Sequence, residues 1–423
     1  MTHTPAAHTP SYSIARERYA DIGVDTESAL DALSSVALSL NCWQGDDVTG
    51  FESLGSAAGG GIQATGNHPG RARTPDELRS DIDTALSLIP GTHRVNLHAM
   101  YAECGGARIG RDELAPEHFR GWIAWAREKR LSLDFNATCF AHPLADAGFT
   151  LSSKDDDIRN FWIRHVRRAR EISAEIGAQL GSPCIHNLWI PDGSKDQCVD
   201  KFGYRTLLKR SLDEIYAVKM DPARMKDAVE SKLFGIGSES FVVGSYDFYL
   251  PYALSHGLMP CLDMGHYHPT ESVADKISSL LQFTDEVLIH VSRGIRWDSD
   301  HVVILNDDLA ALTDEIVRAG ALARVHFALD FFDASINRIG AWVIGSRATQ
   351  KSILRSLLEP RRHLQEYEEE GNLFARLALL EESKLLPIGA VWDEYCERMN
   401  VPPGTAWIDA VNAYELDVTG KRR

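Results

Sequence analysis

The chain alternates short apolar, β-prone runs with longer stretches of helical period, and this alternation constrains its fold more than any other feature. The β-prone runs are Leu38–Trp43, Val95–His98, Leu133–Asn136, Cys184–Ile190, Val229–Leu233, Met259–Asp263, Val287–Val291 and Val325–Asp330. Eight strands that alternate with helices predict the α/β fold class and, within it, a (β/α)8 TIM barrel. A doubly wound sheet is the alternative, but no strand is followed by the glycine-rich nucleotide signatures of that fold.

Helical patterns flank this alternation at both ends. Ser13–Leu40 has the composition of a helix, and four helical stretches follow the last strand: Leu354–Glu370, Asn372–Leu386, Ile388–Arg398 and Thr405–Leu416. We therefore predict an N-terminal tail and helix over 1–35, a catalytic barrel over 36–350 and an α-helical C-terminal extension over 351–423. No Ser- or Gly-rich linker precedes the extension, so we expect it to pack on the barrel or on a neighbouring subunit.

The charge balance and the cysteines restrict the function classes. The chain has 44 Lys and Arg against 60 Asp and Glu, a net charge of −16, which disfavours nucleic-acid and membrane-surface partners. No run of 18 apolar residues predicts a membrane span. The seven cysteines are scattered without a C-x-x-C pair, and Met1–Pro10 lacks the apolar region of a secretory signal, so we expect a cytoplasmic protein.

Polar and aromatic residues stand where the predicted strands end. In chain order they are Trp43, His98, Asn136, Trp189, Glu230, Lys232, Asp263, His266, His290 and Asp330. In a TIM barrel the carboxyl ends of the strands form the catalytic face, so we expect these side chains to meet at one mouth. Three aromatic residues near that mouth could stack on the apolar face of a sugar or belong to the core: Trp43, Phe140 and Trp189.

The metal-ligand types at this face are carboxylates and imidazoles without a thiolate. This set suits Mn²⁺, Mg²⁺ or Co²⁺ better than a structural zinc site, although Zn²⁺ could bind adventitiously. There are enough ligands for two ions: a four-ligand site of Glu230, Asp263, His290 and Asp330, and a more open site of His266, Asp298 and Asp300. An open coordination sphere is typical of a catalytic metal.

Each of these signals has a structural alternative when taken alone. Asp298 and Asp300 could belong to a solvated loop with a helix-capping Asp. Glu230 and Lys232 lie two residues apart and could form an ion pair on one face of a strand. Asp330 could begin a helix as its N-cap.

A glycine-rich segment follows the first strand. Gly50–Gly70 contains seven glycines and lies where a βα loop of the barrel would reach the catalytic face. It is either a lid over the mouth or a plain flexible surface loop.

Six segments extend the strand-end signals into long strings of unusual composition: Cys42–Val48, Gly60–Asn67, Val229–Gly237, Asp263–Glu271, His290–His301 and Leu329–Arg338. In these strings, and through essentially the whole chain, the sequence resembles the bacterial L-rhamnose isomerase family. The resemblance implies a metal-dependent (β/α)8 barrel that interconverts L-rhamnose and L-rhamnulose, usually with Mn²⁺ and as a homotetramer.

The resemblance also implies roles for individual residues. His266, Asp298 and Asp300 would hold the catalytic metal. Glu230, Asp263, His290 and Asp330 would hold the structural or substrate-anchoring one, and Lys232, His98 and Trp189 would contact the sugar. We expect Asp330, His98 and Lys232 to take part in catalysis, and Trp43, His98, Phe140, Trp189 and Lys232 to bind the substrate.

Two routes are open for the chemistry. We favour a metal-promoted 1,2-hydride shift, with water near Asp330 or Asp300 moving the hydroxyl proton, over an ene-diol formed by a carboxylate base. Without the resemblance, a metal-dependent phosphodiester hydrolase and a non-catalytic sugar-binding protein remain alternatives. The net charge argues against a polynucleotide substrate, and a binding protein needs fewer ligand-type residues than this face offers.

Overall fold

The computed structural model describes residues 9–43, 50–52, 68–233, 239–295, 300–331 and 335–422. Over these residues eight parallel strands close into a barrel in which each strand pairs with its neighbours in sequence and the last pairs with the first. The strands are β1 (Ala37–Asn41), β2 (Thr92–His98), β3 (Ser132–Asn136), β4 (Cys184–Leu188), β5 (Met225–Glu230), β6 (Met259–Asp263), β7 (Val287–Val291) and β8 (Val325–Leu329). The predicted α/β fold class and TIM barrel are confirmed.

Helices surround the barrel and continue beyond it. They are α1 (Pro10–Ala20), α2 (Thr26–Ser35), α3 (Pro75–Leu86), α4 (Arg120–Lys129), α5 (Asp156–Leu180), α6 (Lys201–Ile215), α7 (Tyr246–His256), α8 (Ala274–Leu280), α9 (Asp307–Arg318), α10 (Arg338–Leu357), α11 (Arg361–Glu369), α12 (Leu373–Ser383), α13 (Ile388–Arg398) and α14 (Ala406–Asp417). Side chains cap several of them; the Thr74 hydroxyl, for example, accepts the Glu77 backbone N–H. No helix within the described ranges is long and apolar enough to cross a membrane.

Several predicted element boundaries are wrong. The helix expected over Leu354–Glu370 is the end of α10 followed by the separate helix α11, and Pro360 lies between them. The single helix expected over Ser13–Leu40 is two helices followed by β1, because Gly23 takes a left-handed φ of 76° and Asp25 caps α2. Strand β5 begins at Met225 rather than Val229 and ends at Glu230, so Lys232 lies beyond the strand. The start of the strand was not predicted because the charged residues Lys226 and Asp227 interrupt its apolar pattern. Both residues form ion pairs in the structure.

The C-terminal helices pack on the barrel. Helix α10 runs across residue 350, and its Trp342 Nε1–H donates to Asn41 Oδ1 on β1 at 3.0 Å. Arg422 near the C-terminus donates to Asp81 Oδ2 on α3 at 2.6 Å. Most of the glycine-rich segment Gly50–Gly70 lies outside the described residues, so its role as a lid or a passive loop stays a prediction.

A buried carboxylate ties together the first four strands. Asp134 on β3 accepts hydrogen bonds from Arg94 Nη2 on β2 at 2.7 Å, Ser39 Oγ on β1 at 2.8 Å and the Ile185 backbone N–H on β4 at 2.9 Å. Burial raises the pKa of Asp134, but the charge and hydrogen bonds of Arg94 bring it below its ordinary value. This carboxylate therefore stabilises the closed barrel in its ionised form.

Replacing Asp134 with Ala is expected to lower the free energy of unfolding by about 3 kcal/mol, because Arg94 is left buried without its partner. Urea unfolding measures the change. Since the folded pKa is depressed, this stabilisation is present above the unfolded pKa of about 4 and is lost as the pH falls below it. The control is Glu366→Gln, which breaks an exposed pair with Arg362 and should cost at most about 0.5 kcal/mol. Equally small losses in both variants would contradict the prediction.

Candidate metal centre

Four of the predicted ligands converge at the carboxyl ends of β5 to β8. One ligand atom each from Glu230, Asp263, His290 and Asp330 lies within 4.8 Å of the others. Glu230 and Asp263 are the last residues of their strands, and Asp330 directly follows β8. Their convergence follows from the parallel topology, which places all strand ends at the same mouth.

A second group of ligand atoms adjoins the first. Asp263, His266 and Asp300 also lie within 4.8 Å of one another, so Asp263 faces both groups. The Cys261 sulfur on β6 likewise lies within 4.8 Å of ligand atoms of Glu230 and His290, so the expectation of a set without a cysteine is wrong. Burial raises the pKa of the Cys261 thiol. Asp298 lies outside the described residues, and its predicted role as a ligand stays a prediction. Asp300 has a φ of 33°, an uncommon backbone conformation for a residue other than glycine, and such conformations concentrate at functional sites.

Asp263 is oriented by hydrogen bonds to only one of its carboxylate oxygens. Oδ1 accepts the Gly265 backbone N–H and the Ser292 hydroxyl, both at 2.6 Å. Oδ2 is buried and accepts no hydrogen bond from any described residue, while His290 Nδ1 lies 3.7 Å and His266 Nε2 4.0 Å from it. A buried carboxylate oxygen without a donor is costly unless a cation binds it, so this atom fits a metal ligand.

The two imidazoles are oriented by the backbone and by the carboxylates. His266 Nδ1 lies 2.8 Å from the Ser231 carbonyl oxygen, which turns Nε2 toward Asp263. His290 Nδ1 lies 2.9 Å from Asp330 Oδ2 and 3.1 Å from Glu230 Oε1. A histidine that donates one ring nitrogen to a carbonyl and offers the other to an ion is common in metal sites.

The electrostatics of the cluster favour a cation. Burial opposes the charged ring of His290, yet Cys261 and the Glu230 and Asp330 carboxylates raise its pKa well above the ordinary value. Burial likewise raises the pKa of Asp263, while His266 and His290 bring it below its ordinary value. The carboxylates of the cluster therefore favour positive charge beside them. A divalent ion would supply such charge, since metal binding to these ligand types replaces protons.

Three residues that support the ligands were not identified from the sequence. Asn187 on β4 donates from Nδ2 to Glu230 Oε2 at 2.5 Å, and Ser231 and Ser292 contact His266 and Asp263 as described above. All three are small polar residues at or next to strand ends. Their position at or next to strand ends is the sequence signal that could have identified them. Small polar residues are too common at strand ends, however, to indicate a role.

Lys232 pairs with Glu239 rather than with Glu230. Its Nζ donates to Glu239 Oε1 and to the Pro191 carbonyl oxygen, the latter at 2.9 Å, and it lies 5.7 Å from the centre of the Trp189 ring. The alternative in which Lys232 neutralises Glu230 on one strand face is therefore wrong, because β5 ends before Lys232. Glu230 is left to the metal-ligand cluster.

The predicted sugar-contacting residues form a second cluster at the carboxyl ends of β1 to β4. We call Trp43, His98, Phe140 and Trp189 the aromatic wall. The Trp43 ring lies 4.4 Å from His98 and 5.7 Å from Phe140, and the Phe140 ring lies 5.6 Å from Trp189. Burial, together with the charges of His290 and Arg111, holds the pKa of His98 well below its usual value, so its ring is neutral.

The mouth of the barrel thus has two chemically distinct sides. The aromatic wall occupies the ends of β1 to β4, and the ligand cluster, which we call the anionic wall, occupies the ends of β5 to β8. The walls meet where Asn187 of β4 donates to Glu230 of β5. A polyhydroxylated ligand between them would place its apolar face on the rings and its hydroxyl oxygens toward the ions.

Comparison with known proteins identifies the family to which the chain is similar. The family model of L-rhamnose isomerase (RhaA) matches residues 7–422. The chain is 54% identical over 412 residues to L-rhamnose isomerase of Enterobacter sp. (strain 638), covering 97% of this chain and 98% of that protein. It is 56% identical to L-rhamnose isomerase of Bacteroides thetaiotaomicron and to that of Mannheimia succiniciproducens, with the same coverage in both cases.

Proposed function

The chain belongs to the L-rhamnose isomerase family, and from this premise we propose that it interconverts L-rhamnose and L-rhamnulose at the mouth of its barrel. The observation that carries the proposal is the meeting of a buried carboxylate–imidazole cluster with an aromatic wall at one face. An aldose–ketose isomerase must hold adjacent oxygens of an open-chain sugar, and it must keep water away while hydrogen moves between C1 and C2. The two walls provide these two functions.

We assign two divalent-ion sites to the anionic wall. Glu230, Asp263, His290 and Asp330 would hold one ion, and His266, Asp298 and Asp300 a second. The buried Asp263 Oδ2, which faces both groups, supports this assignment. The family resemblance favours Mn²⁺, and the carboxylate and imidazole donors also suit Zn²⁺, Co²⁺ or Mg²⁺. When bound, such an ion acts as a Lewis acid that stabilises negative charge on sugar oxygens.

The remaining groups bind and orient the sugar. Phe140 and Trp189 offer ring faces and edges to its apolar C–H surface, and their burial excludes water from the reacting carbons. The neutral ring of His98 offers a hydrogen bond to a hydroxyl. Lys232, held by Glu239 and the Pro191 carbonyl, offers the remaining donor of its ammonium group.

Hydrogen transfer is proposed to occur as a 1,2-hydride shift. The C2 hydrogen moves to C1 with its electron pair while the proton of the C2 hydroxyl passes to the C1 oxygen, which balances aldose against ketose. In support, Glu230 and Asp330 each lie within about 3 Å of the His290 ring, which leaves neither poised as a free carboxylate base. Lys232 would stabilise the charge on oxygen.

Deuterium at C2 of L-rhamnose is expected to be retained at C1 of L-rhamnulose. A hydride never exchanges with solvent, whereas a carboxylate base that forms an ene-diol loses the label to water. Proton NMR of the product, taken at low conversion in H₂O, measures the retained fraction. The reverse experiment, unlabelled substrate in D₂O, should leave C1 of the product free of deuterium. Loss of deuterium from the labelled substrate in H₂O, or uptake of deuterium at C1 of the product in D₂O, would exclude the hydride route.

The substrate assignment is tested by ketose formation from a panel of aldoses at saturating Mn²⁺. L-Rhamnose is expected to give the largest kcat/KM. If L-rhamnose is inert and another aldose reacts, the metal assignment stands and the substrate assignment fails. If no aldose reacts with any of the four divalent ions, the isomerase proposal itself fails.

We further propose that the chain acts as a cytoplasmic homotetramer. Helix α12 buries none of its residues, and Leu373, Phe374 and Leu377 on it are 58%, 84% and 60% exposed. An apolar helix face of this kind is typical of a subunit interface. All seven cysteines are free, which suits a reducing compartment. Light scattering coupled to gel filtration tests the tetramer, and a monomer at micromolar concentration would contradict it.

A further inference from the structure

A strained threonine lies beneath the aromatic wall. Thr138 follows β3, is fully buried and has a φ of 61°, in the left-handed region that a β-branched residue rarely adopts. Such a conformation is unfavourable and persists only where the surroundings enforce it. The contacts of Thr138 therefore fix the position of its side chain.

The surroundings that enforce this conformation are specific. The Thr138 backbone N–H donates to Asn136 Oδ1 at 2.8 Å, and its carbonyl oxygen accepts Arg111 Nη1–H at 2.7 Å. Buried Arg111 also donates to the Phe140 and Ala141 carbonyl oxygens, at 2.5 and 3.1 Å. Arg111 Nε donates to Glu52 Oε1 at 3.0 Å, and Nη2 donates to Glu52 Oε2 at 2.7 Å. One arginine thus holds the whole turn that carries Thr138 and Phe140.

The hydroxyl of Thr138 has three neighbours. The Ala99 backbone N–H can only donate to Oγ1 (3.0 Å), and the Asn136 carbonyl oxygen can only accept from it (3.3 Å). The third neighbour is His98 Nδ1 at 3.1 Å. When the hydroxyl proton is directed to the Asn136 carbonyl, which can only accept, the remaining lone pair of Oγ1 accepts a hydrogen bond from His98 Nδ1–H. In this arrangement the ring proton of His98 is on Nδ1.

The other ring nitrogen of His98 is then an acceptor. No described residue makes a hydrogen bond with Nε2, and the ring packs against Trp43 at 4.4 Å and Phe140 at 6.1 Å, both in the aromatic wall. A neutral imidazole with Nδ1–H presents an unprotonated Nε2. In this wall, that nitrogen is available to accept a hydrogen bond from a ligand hydroxyl.

We propose that Thr138 is a positioning residue that holds His98 as its Nδ1–H tautomer and so presents Nε2 to the substrate as a hydrogen-bond acceptor. The inference rests on the proposed function, because the acceptor serves a sugar hydroxyl. Arg111 acts one step further out, since it holds the turn in which Thr138 is strained. When a sugar ring opens, a hydroxyl must lose its proton. A hydroxyl that donates a hydrogen bond to Nε2 is placed for that step.

The tautomer can be measured directly. Protein with ¹⁵N-labelled histidine rings is examined by long-range ¹H–¹⁵N NMR, and the His98 signals are assigned by their loss in His98→Gln. In the parent protein we expect Nδ1 in the protonated range and Nε2 in the unprotonated range. A protonated Nε2 would overturn the proposal without any variant of Thr138 and without any activity measurement.

Variants of Thr138 test the consequence for the substrate. Thr138→Val keeps the shape and the backbone strain but removes the hydroxyl, so we expect kcat/KM to fall about 10- to 100-fold, as for other supporting hydrogen bonds. Thr138→Ser keeps the hydroxyl and should stay within about threefold of the parent protein. Should Thr138→Val fail to fold, Thr138→Ala provides the same comparison. Manganese content, measured by mass spectrometry, should be unchanged in all of them.

Two comparisons separate positioning from a structural role. Thr313→Val removes a buried hydroxyl on α9, far along the chain from the wall, and should leave kcat/KM unchanged. In the His98→Gln background, Thr138→Val should lower kcat/KM only slightly further, because the two residues act as one unit. Additive losses, or full activity of Thr138→Val in an active parent, would overturn the proposal. An inactive parent would instead count against the proposed function, and the NMR result would still decide the tautomer.

Discussion

Replacing His266 with Asn is expected to lower kcat/KM by about a thousandfold or more while the chain stays folded. His266 directs Nε2 toward Asp263, and an ion bound there would supply several kcal/mol of charge stabilisation, of which about 4 kcal/mol corresponds to a thousandfold in rate. Asparagine cannot place a donor atom at the same distance from the backbone. Steady-state kinetics at saturating Mn²⁺, with circular dichroism to check folding, measure the effect.

The control for this substitution lies two residues away. His268 is exposed and contacts Thr270, so His268→Asn should leave kcat/KM unchanged. Asp298→Asn, in the same predicted ligand set, should behave like His266→Asn. Near-normal activity of His266→Asn with saturating Mn²⁺ would contradict the ligand assignment. Equal losses in His266→Asn and His268→Asn would point to a general disturbance of this loop.

Removal of metal is expected to abolish turnover and to lower the thermal stability. After treatment with EDTA, L-rhamnose should not react, and added Mn²⁺ should restore the activity. The anionic wall places the Glu230, Asp263 and Asp330 carboxylates within 4.8 Å of one another, so an ion that binds only the folded chain also stabilises it. At a hundred times its Kd, such an ion adds about 2.7 kcal/mol. Differential scanning fluorimetry across a Mn²⁺ titration measures this gain in stability separately from activity.

The matched variant for metal removal is Asp263→Asn. Since Asp263 faces both ligand groups, this variant should lose the Mn²⁺-dependent rise in melting temperature together with the activity. Asp134→Asn, which changes a buried carboxylate in the lower barrel, should keep the Mn²⁺-dependent rise even though its baseline stability is lower. Activity in the stripped protein, or a melting temperature insensitive to Mn²⁺, would exclude the metal from its proposed role.

The barrel and most of the candidate ligands could be predicted because topology alone brings them together. Glu230, Asp263, His290 and Asp330 are far apart in sequence, but each stands at or beside the end of a parallel strand, and parallel strands of one barrel end at one face. The alternation of apolar runs and helical stretches therefore predicts both the fold and the convergence of these side chains. The start of β5 was missed because ion-paired Lys226 and Asp227 interrupt its apolar pattern.

Local pattern could not predict which partner each side chain finds. Lys232 lies two residues from Glu230, yet it pairs with Glu239 because the strand ends between them. Asn187, Ser231 and Ser292 orient the ligands through contacts whose partners are 29 to 43 residues away, and nothing in their local sequence marks them. The supporting residues thus depend on distances that only the closed barrel sets.

The division of this protein's properties between sequence and structure follows from the range of the forces involved. Periodicity, chain length and residue type act locally, so they are sufficient to specify the class of fold, the face that carries the site and the kind of ion it suits. Three features arise from packing between distant strands. They are the separation of the mouth into an aromatic and an anionic wall, the buried Asp263 Oδ2 that accepts no hydrogen bond from a described residue, and the strained Thr138 beneath His98. Hydrogen bonding and burial act over a few ångströms in space, and closing the barrel decides which atoms come within that range.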